Sequence, residues 1–260
     1  MNSWWVIGAE DRHPGRLQSW FWLSLTVMLL AGLCVAVLMT GGREWQWQTV
    51  GEYRKVFLAG WGMTVGISVL CLLGSLLTGA LLAAGQLSRL IPIRSIATVI
   101  VEFIRGTPLL VQIMFFFYVV ADGIGLENRY LVGILTLSLY SGTYIAEIFR
   151  GGFETSGRSQ LMAARAVGMT DRQAFRYILF PQTIRAILPA LAGQLVALIK
   201  HSSLLSVIAV NEFTYAARSV NAITYSTLES YLPLLIGYII LTLPVSLLAS
   251  VLERRFHYET

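Results

Sequence analysis

Residues 131–149 read LVGILTLSLYSGTYIAEIF, nineteen positions with one formally charged side chain, Glu147. At 1.5 Å per residue an α-helix of that length extends about 28 Å, enough to cross the hydrocarbon core of a bilayer. Apolar and polar residues do not alternate at period two, which sets aside an outer-membrane barrel. Five further apolar segments surround it, at about residues 20–40, 58–84, 96–121, 186–208 and 231–252. The composition agrees: 56% of the 260 residues are apolar, 13% are charged, and the mean hydropathy is +0.67. Such a chain has too few polar side chains to cover one solvated surface, which excludes an ordinary soluble domain, a disordered chain and a collagen-like one. The expected fold class is an all-α membrane protein with about six transmembrane helices.

The 19 basic residues give the expected orientation. Twelve fall on one side: Arg12, Arg16, Arg89, Arg94, the six arginines from Arg150 to Arg185, Arg254 and Arg255. Five fall on the other: Arg43, Arg54, Lys55, Arg129 and Arg218. Arg105 and Lys200 lie within or at the edge of spans, Lys200 being read near the cytoplasmic end of the fifth. The richer side belongs in the cytoplasm, so both termini are expected there. The arginines are dispersed between apolar runs, which suits membrane topology and not nucleic-acid binding. The first span follows a polar leader holding Glu10, Asp11, Arg12 and Arg16, and no A-x-A-like cleavage site follows it, so it reads as retained. The chain divides into 1–57 (leader, additional span and external loop), 58–252 (the membrane core) and 253–260 (a cytoplasmic tail).

Several chemistries are not encoded. Cys34 and Cys71 sit in apolar runs, and no two of the three histidines have metal-ligand spacing, so neither a disulfide framework nor a metal site is expected. A Gly-rich phosphate loop followed by Lys-Ser/Thr is missing, so an ATP engine would have to be another polypeptide. A nucleophile–base constellation is not apparent either, and an intrinsic enzyme is not expected.

The longest cytoplasmic connection, 150–185, reads as helical in two pieces. Gln160 to Val167 is a good helix former ending at Gly168, which suits a left-handed cap. Thr170 and Gln173 have capping-box spacing, Phe175, Ile178 and Leu179 give an apolar face, and Pro181 is expected to stop or kink the helix before the fifth span. An exposed helix–Gly–helix unit bearing small and apolar groups suits docking into a partner's groove. An interfacial linker whose arginines merely obey the charge rule fits the same residues.

Three ordered blocks resemble the permease subunits of bacterial ABC importers, in particular the polar amino-acid uptake branch. They are Glu102-Phe-Ile-Arg105-Gly-Thr-Pro108-Leu-Leu-Val-Gln112, Tyr144-Ile-Ala-Glu147-Ile-Phe-Arg150-Gly-Gly152, and the cytoplasmic EAA-type loop with Met162, Ala163, Ala164, Gly168, Phe175, Ile178 and Phe180-Pro181. The runs 181–185 and Lys200 to Leu204 follow, and the resemblance covers roughly 58–252. It implies that this chain forms half of a pathway for a polar amino acid or an opine-like derivative. It implies three kinds of partner: two cytoplasmic ATPase subunits that bind ATP and Mg, an external substrate-binding protein, and a second permease subunit. The chain itself would carry no cofactor, and Met162, Ala163, Ala164, Gly168, Phe175, Ile178 and Pro181 would meet the ATPase. Met162 stands where the loop usually has Glu, which favours a paralogue over a second copy as the other permease. Gly193 stands where the branch often has Asn, and His201 and Ser202 where it often has Asp and Thr. The span at 20–40 is additional to the usual five.

Glu102 and Arg105, three apart, are expected to pair on one helix face, and Glu147 and Arg150 repeat that spacing. Gly106 and Pro108 interrupt the helix and free backbone groups that need protein or water. Polar side chains expected along the path are Gln112, Tyr118, Thr143, Gln194, Lys200, Ser202 and Ser203, with His201, Asn211 and Glu212 as further candidates. Two other classes fit an all-helical membrane chain, an ion-coupled secondary transporter and a non-transporting scaffold. A secondary transporter would want an internal repeat and a midplane coupling site. A scaffold would lack transport-coupled hydrolysis.

Overall fold

The structure is a computed structural model that describes residues 46–256 and, before them, Phe21, Trp22, Ser24, Leu25, Thr26, Met28, Leu29 and Gly32, all eight helical; of the side chains at 154–159 and 254–256 nothing is described. The rest of the expected 20–40 span, the leader and residues 257–260 lie outside the described residues. The chain divides into two units, Met1–Gln46 and Trp47–Thr260.

In the second unit every regular element is helical among the described residues. The order is α1 (Gln48–Glu52), α2 (Arg54–Gln86), α3 (Ile91–Arg105), α4 (Leu109–Ala121), α5 (Arg129–Ala166), α6 (Asp171–Ile208), α7 (Phe213–Thr224) and α8 (Thr227–Phe256). Four of these are long and apolar enough to cross a membrane: α2, α5 as far as Phe153, α6, and α8 as far as Glu253. α3 and α4 make a fifth only as a pair, and their axes differ by 105°. The segment at 96–121 is therefore not the single straight span its hydropathy suggests. Gly106-Thr107-Pro108 ends one helix and starts another, Pro108 taking an extended backbone as the N-cap of α4. Gln112 holds the bend: its Nε2 lies 2.6 Å from Ile104 O, 3.1 Å from Thr107 O and 2.6 Å from Thr107 Oγ1. One amide thus caps carbonyls that the break leaves without helical partners.

The two longest helices, α2 and α5, form the central seam. Apolar helices gain nothing from associating in lipid except close contact, so small residues line such seams. A Cβ on Gly74 would strike Ser138, one on Gly79 would strike Ile145, and one on Gly142 would strike Thr78. Thr78 Oγ1 crosses the seam and donates to Ser138 O at 2.9 Å. Beside it a buried core joins Ile67 and Cys71 of α2, Leu109 and Ile113 of α4, Leu137 of α5, and Leu198, Leu205 and Ile208 of α6. α6 runs antiparallel to α5, with Gly133 facing Leu205 and Gly152 facing Ile187 and Thr183. α8 is peripheral, its apolar stretch only 6% buried within the chain.

The connection after α5 departs from expectation in two ways. α5 does not stop near Phe149 but continues to Ala166, so the expected first piece, Gln160 to Val167, is its extension. Pro181 does not stop the second piece, because α6 runs on through it. A π-helical turn at Phe175–Leu179 precedes Phe180 and Pro181, which occupy the first turn of the α-helical stretch that follows. Proline is tolerated in a first turn, where its missing N–H is not needed.

Candidate functional site

Between α5 and α6 the chain turns on Gly168, whose φ of +82° lies in the left-handed region. Met169 N donates to Ala164 O and Gly168 N to Arg165 O, both at 3.0 Å, which is the paired bonding of a Schellman cap. Thr170 then opens α6 with a complete capping box: its N–H donates to Gln173 Oε1 at 2.9 Å, and Gln173 N–H donates back to Thr170 Oγ1. Arg165 closes the turn from outside through two bonds to Asp171, at 2.8 and 3.0 Å. On this frame Met162, Ala163 and Phe175 are exposed, Ile178 and Pro181 are half-buried, and Ala164 is buried against the chain itself. Phe175 stacks on Phe153 of α5, at 6.2 Å between ring centres, and meets the Phe180 ring at a 45° tilt, at 6.0 Å. Arg172 is exposed, Arg176 lies over the Tyr177 ring, and the Arg158 side chain falls among those not described.

The same end of the bundle holds a charged node, and here the expected pairing is corrected. Arg105 does not turn to Glu102, three residues back on its own helix. It reaches across to Glu147 of α5 at 3.5 Å, while Glu102 is exposed. Glu147 also takes Arg150 at 2.7 Å, as expected, and accepts from Gln86 Nε2 of α2 at 3.0 Å. One carboxylate therefore joins α2, α3 and α5. The cross-helix arrangement is favoured because Glu147, with a side chain only 20% exposed, offers oxygens already held in place by Gln86 and Arg150.

From that node a polar and aromatic chain runs into the bundle. The Arg105 guanidinium sits 5.2 Å from the centre of the Tyr144 ring, the Tyr144 and Tyr140 hydroxyls are 3.1 Å apart, and Tyr140 meets the His201 ring edge-on at 5.6 Å. Tyr140 lies near the middle of the stretch Arg129–Phe153, so His201 and its neighbour Lys200 lie level with the middle of that stretch and not with its end. This corrects the reading of Lys200 at a cytoplasmic span end. Lys200 is exposed, and His201 Nδ1 is buried without a hydrogen-bond partner.

The other expected path residues are scattered. Thr143 and Ser202 are fully buried, their hydroxyls donating to Tyr140 O and Ile199 O in their own helices. Ser203 is bonded likewise to Lys200 O but remains accessible. Gln112 is occupied at the α3–α4 bend, Gln194 is half-buried and Tyr118 is 54% exposed. Asn211 is exposed, whereas Glu212 is fully buried at the start of α7. Its carboxylate accepts from Thr214 N and Tyr215 N, each at 2.8 Å, and from the Tyr238 hydroxyl of α8 at 3.1 Å. Burial pushes the Glu212 carboxyl above its ordinary range, against the lowering effect of those donors. Tyr140 and Gln86 were not singled out from sequence and Tyr144 only as the first residue of a motif block, although Tyr140 and Tyr144 already have the i, i+4 spacing of one helix face.

Comparison with known proteins gives one consistent set of likenesses. Residues 75–258 match the family profile described as "Binding-protein-dependent transport system inner membrane component". The probable glutamine ABC transporter permease protein GlnM of Bacillus subtilis (strain 168) is 34% identical over 77% of this chain and 93% of its own length. The glutamine transport system permease protein GlnP of Escherichia coli (strain K12) is 31% identical over 82% and 98%, and the glutamate/aspartate import permease protein GltK of Escherichia coli O157:H7 is 30% identical over the same shares. Among solved structures, an amino acid ABC transporter with histidines superposes with a TM-score of 0.76 at 33% identity, covering 82% of this chain and all of that one. An inward-facing MetNI methionine ABC transporter, at 16% identity and a TM-score of 0.63, shares the fold.

Proposed function

We propose that this chain, which belongs to the family of binding-protein-dependent transport system inner membrane components, forms one half of a path for a polar amino acid across the bacterial cytoplasmic membrane. It is the transmembrane permease component of an ABC-type importer, and ATP is hydrolysed by a separate subunit. The observation that carries the half-path reading is the outward face of α6. Most outward side chains of the bundle are large and apolar, as hydrocarbon surroundings demand. On α6, however, Ala186, Ala190, Gly193 and Lys200 are exposed in one row at helical spacing. Small residues admit a second backbone, and a lysine at mid-depth needs water or protein rather than lipid. A second permease subunit on this face answers both needs. The departure at Met162 favours a paralogue there over a second copy of this chain.

Substrate class follows from the relatives, whose names specify glutamine and glutamate or aspartate. An external substrate-binding protein would deliver it. On the cytoplasmic side two ATPase subunits, binding ATP and Mg, would receive the turn around Gly168, with Met162, Ala163 and Phe175 outermost and Ala164, Ile178 and Pro181 supporting them from behind. The 12-to-5 distribution of basic residues supports this orientation, with both termini in the cytoplasm and the 20–40 segment as a sixth span. ATP-driven closure of the ATPase pair would then be passed through residues 160–181 to the bundle. Glu102, Arg105, Gly106, Pro108, Glu147 and Arg150 lie where α3, α4 and α5 meet, and would keep that end in register as it opens.

Mild-detergent purification of the tagged chain from its native cell tests the reading. The expected result is an ATPase at one copy per permease chain, together with a related permease. Arrival alone, under conditions that preserve a control importer, would overturn it.

A further inference from the structure

α3 has three faces, and the chain itself covers only one. Ala97, Val101 and Ile104 are buried. A Cβ on Gly85 would strike Ala97, and Val101 packs with Ala83 and Ala146, so this face lies on the last turns of α2 and on α5. That end of the bundle leads through α5 to the turn at Gly168. At about 100° per residue the remaining positions fall into two rows. Ile96, Val99, Ile100 and Phe103 form one flank, and all are exposed, Ile96 at 62% and Phe103 at 67%. Arg94, Thr98 and Glu102, at steps of four, form the other, and they are exposed as well. An exposed apolar stripe needs hydrocarbon and an exposed polar stripe needs water, so a helix carrying both side by side suits the boundary between them. The bend agrees: α4 enters the core with Leu109 and Ile113, and α3, at 105° to it, lies across that direction.

The approach to α3 carries the charge. The link 87–90 sets Arg89 between Leu87 and Leu90, which are 45% and 62% exposed, and Ile91 beyond them is 77% exposed. Arg105 and Arg150 share Glu147, and Arg165 holds Asp171. Among the described residues the guanidinium groups of Arg89 and Arg94 have no such acid, and both are exposed. Glu102, the one acid on α3, is eight residues and about 12 Å along the helix from Arg94. Two uncompensated arginines set among exposed leucine and isoleucine match both parts of a lipid, a phosphate for the guanidinium and an acyl chain for the stripe. The stripe is bulky, unlike the small row on α6, and so fits fluid chains better than a second backbone. We propose that α3 is an interfacial helix on the cytoplasmic face of the membrane, with its Ile96–Phe103 stripe among acyl chains and Arg89 and Arg94 on the phosphates of anionic phospholipids. The choice of leaflet rests on the orientation given with the permease reading above.

The test uses the permease–ATPase complex reconstituted in phosphatidylcholine vesicles doped with phosphatidylglycerol. Cys34→Ser leaves the buried Cys71 as the native cysteine, and a bimane is attached at Phe103→Cys on the apolar stripe or at Thr98→Cys on the polar one. Brominated chains, the quencher, are carried by one lipid or the other. Phe103→Cys is expected to be quenched by brominated chains and Thr98→Cys by aqueous iodide. Brominated phosphatidylglycerol should quench Phe103→Cys more strongly than brominated phosphatidylcholine does. Arg89→Gln and Arg94→Gln should each lower that preference roughly 5-fold, the equivalent of about 1 kcal/mol for a basic residue at an anionic surface. High salt should weaken it. Arg94→Lys should keep it, and Arg172→Gln, at an exposed arginine of α6, should leave it unchanged. A bimane at Phe103→Cys that neither lipid quenches would overturn the proposal, as expected if a second subunit covers the stripe. Equal quenching by the two lipids, or a preference that survives loss of both arginines, would overturn the phosphate contact. ATP-driven uptake of L-glutamine and L-glutamate by the unmodified complex is measured in the same vesicles. Its absence would count against the permease reading, whatever the quenching gives.

Discussion

Glu147 shows how one side chain can serve three helices. Its oxygens are shared among Gln86, Arg105 and Arg150, so truncation leaves two guanidinium groups and an amide facing a space built for an anion. Glu147→Ala is expected to destabilise the folded permease by about 1–3 kcal/mol, the range for removing a charged hydrogen-bond partner. The exposed Glu102→Ala should stay within about 0.5 kcal/mol of the parent. Thermal unfolding in detergent checks both, and equal effects would restore the local Glu102–Arg105 pair. Spacing alone led to that pair, since i, i+3 is all a sequence reveals about proximity. The better partner came from a helix more than forty positions away, brought close by a fold the local pattern does not contain. Gly168 was legible for the opposite reason: its requirement is set by its own backbone and its immediate neighbours.

Local chemistry likewise defined the elements better than their relations. The capping box at Thr170 and Gln173 formed as its spacing predicts, because every atom involved lies within four residues. The break at Gly106-Thr107-Pro108 was readable, but the 105° bend was not, because it depends on where Gln112 finds its acceptors. The continuation of α5 to Ala166 was missed because polar residues after Phe149 mark the edge of the membrane and not the end of the helix. At Gly168 a Cβ would meet nothing within 4 Å, so substitution there costs conformation alone. Gly168→Ala should lose about 1–2 kcal/mol and Gly168→Asn less, since asparagine tolerates the left-handed region. Equal unfolding midpoints for glycine and alanine would mean that the turn relaxes to a different shape.

At the scale of the whole molecule, the all-helical membrane class was plain from composition, whereas the row of small residues on α6, proposed above to receive another subunit, was not. An exposed alanine on α6 carries no signal until its neighbours in space are known. A Cβ on Gly193 meets nothing within 4 Å of its own chain, so Gly193→Trp should fold as the parent does yet fail to assemble a working importer. Expression and unfolding unchanged, with ATP-driven uptake lost, is the expected pattern; full uptake would move the subunit contact elsewhere. The seam between α2 and α5 bears on what such an assembly can do. At Gly74, Gly79 and Gly142 the two backbones approach so closely that sliding either helix along the other would drive side chains into main chain. The pair is therefore expected to move together through such a cycle. The degrees of freedom left for a transport cycle are expected outside it, at the 105° elbow between α3 and α4 and at the π-helical turn Phe175–Leu179 within α6.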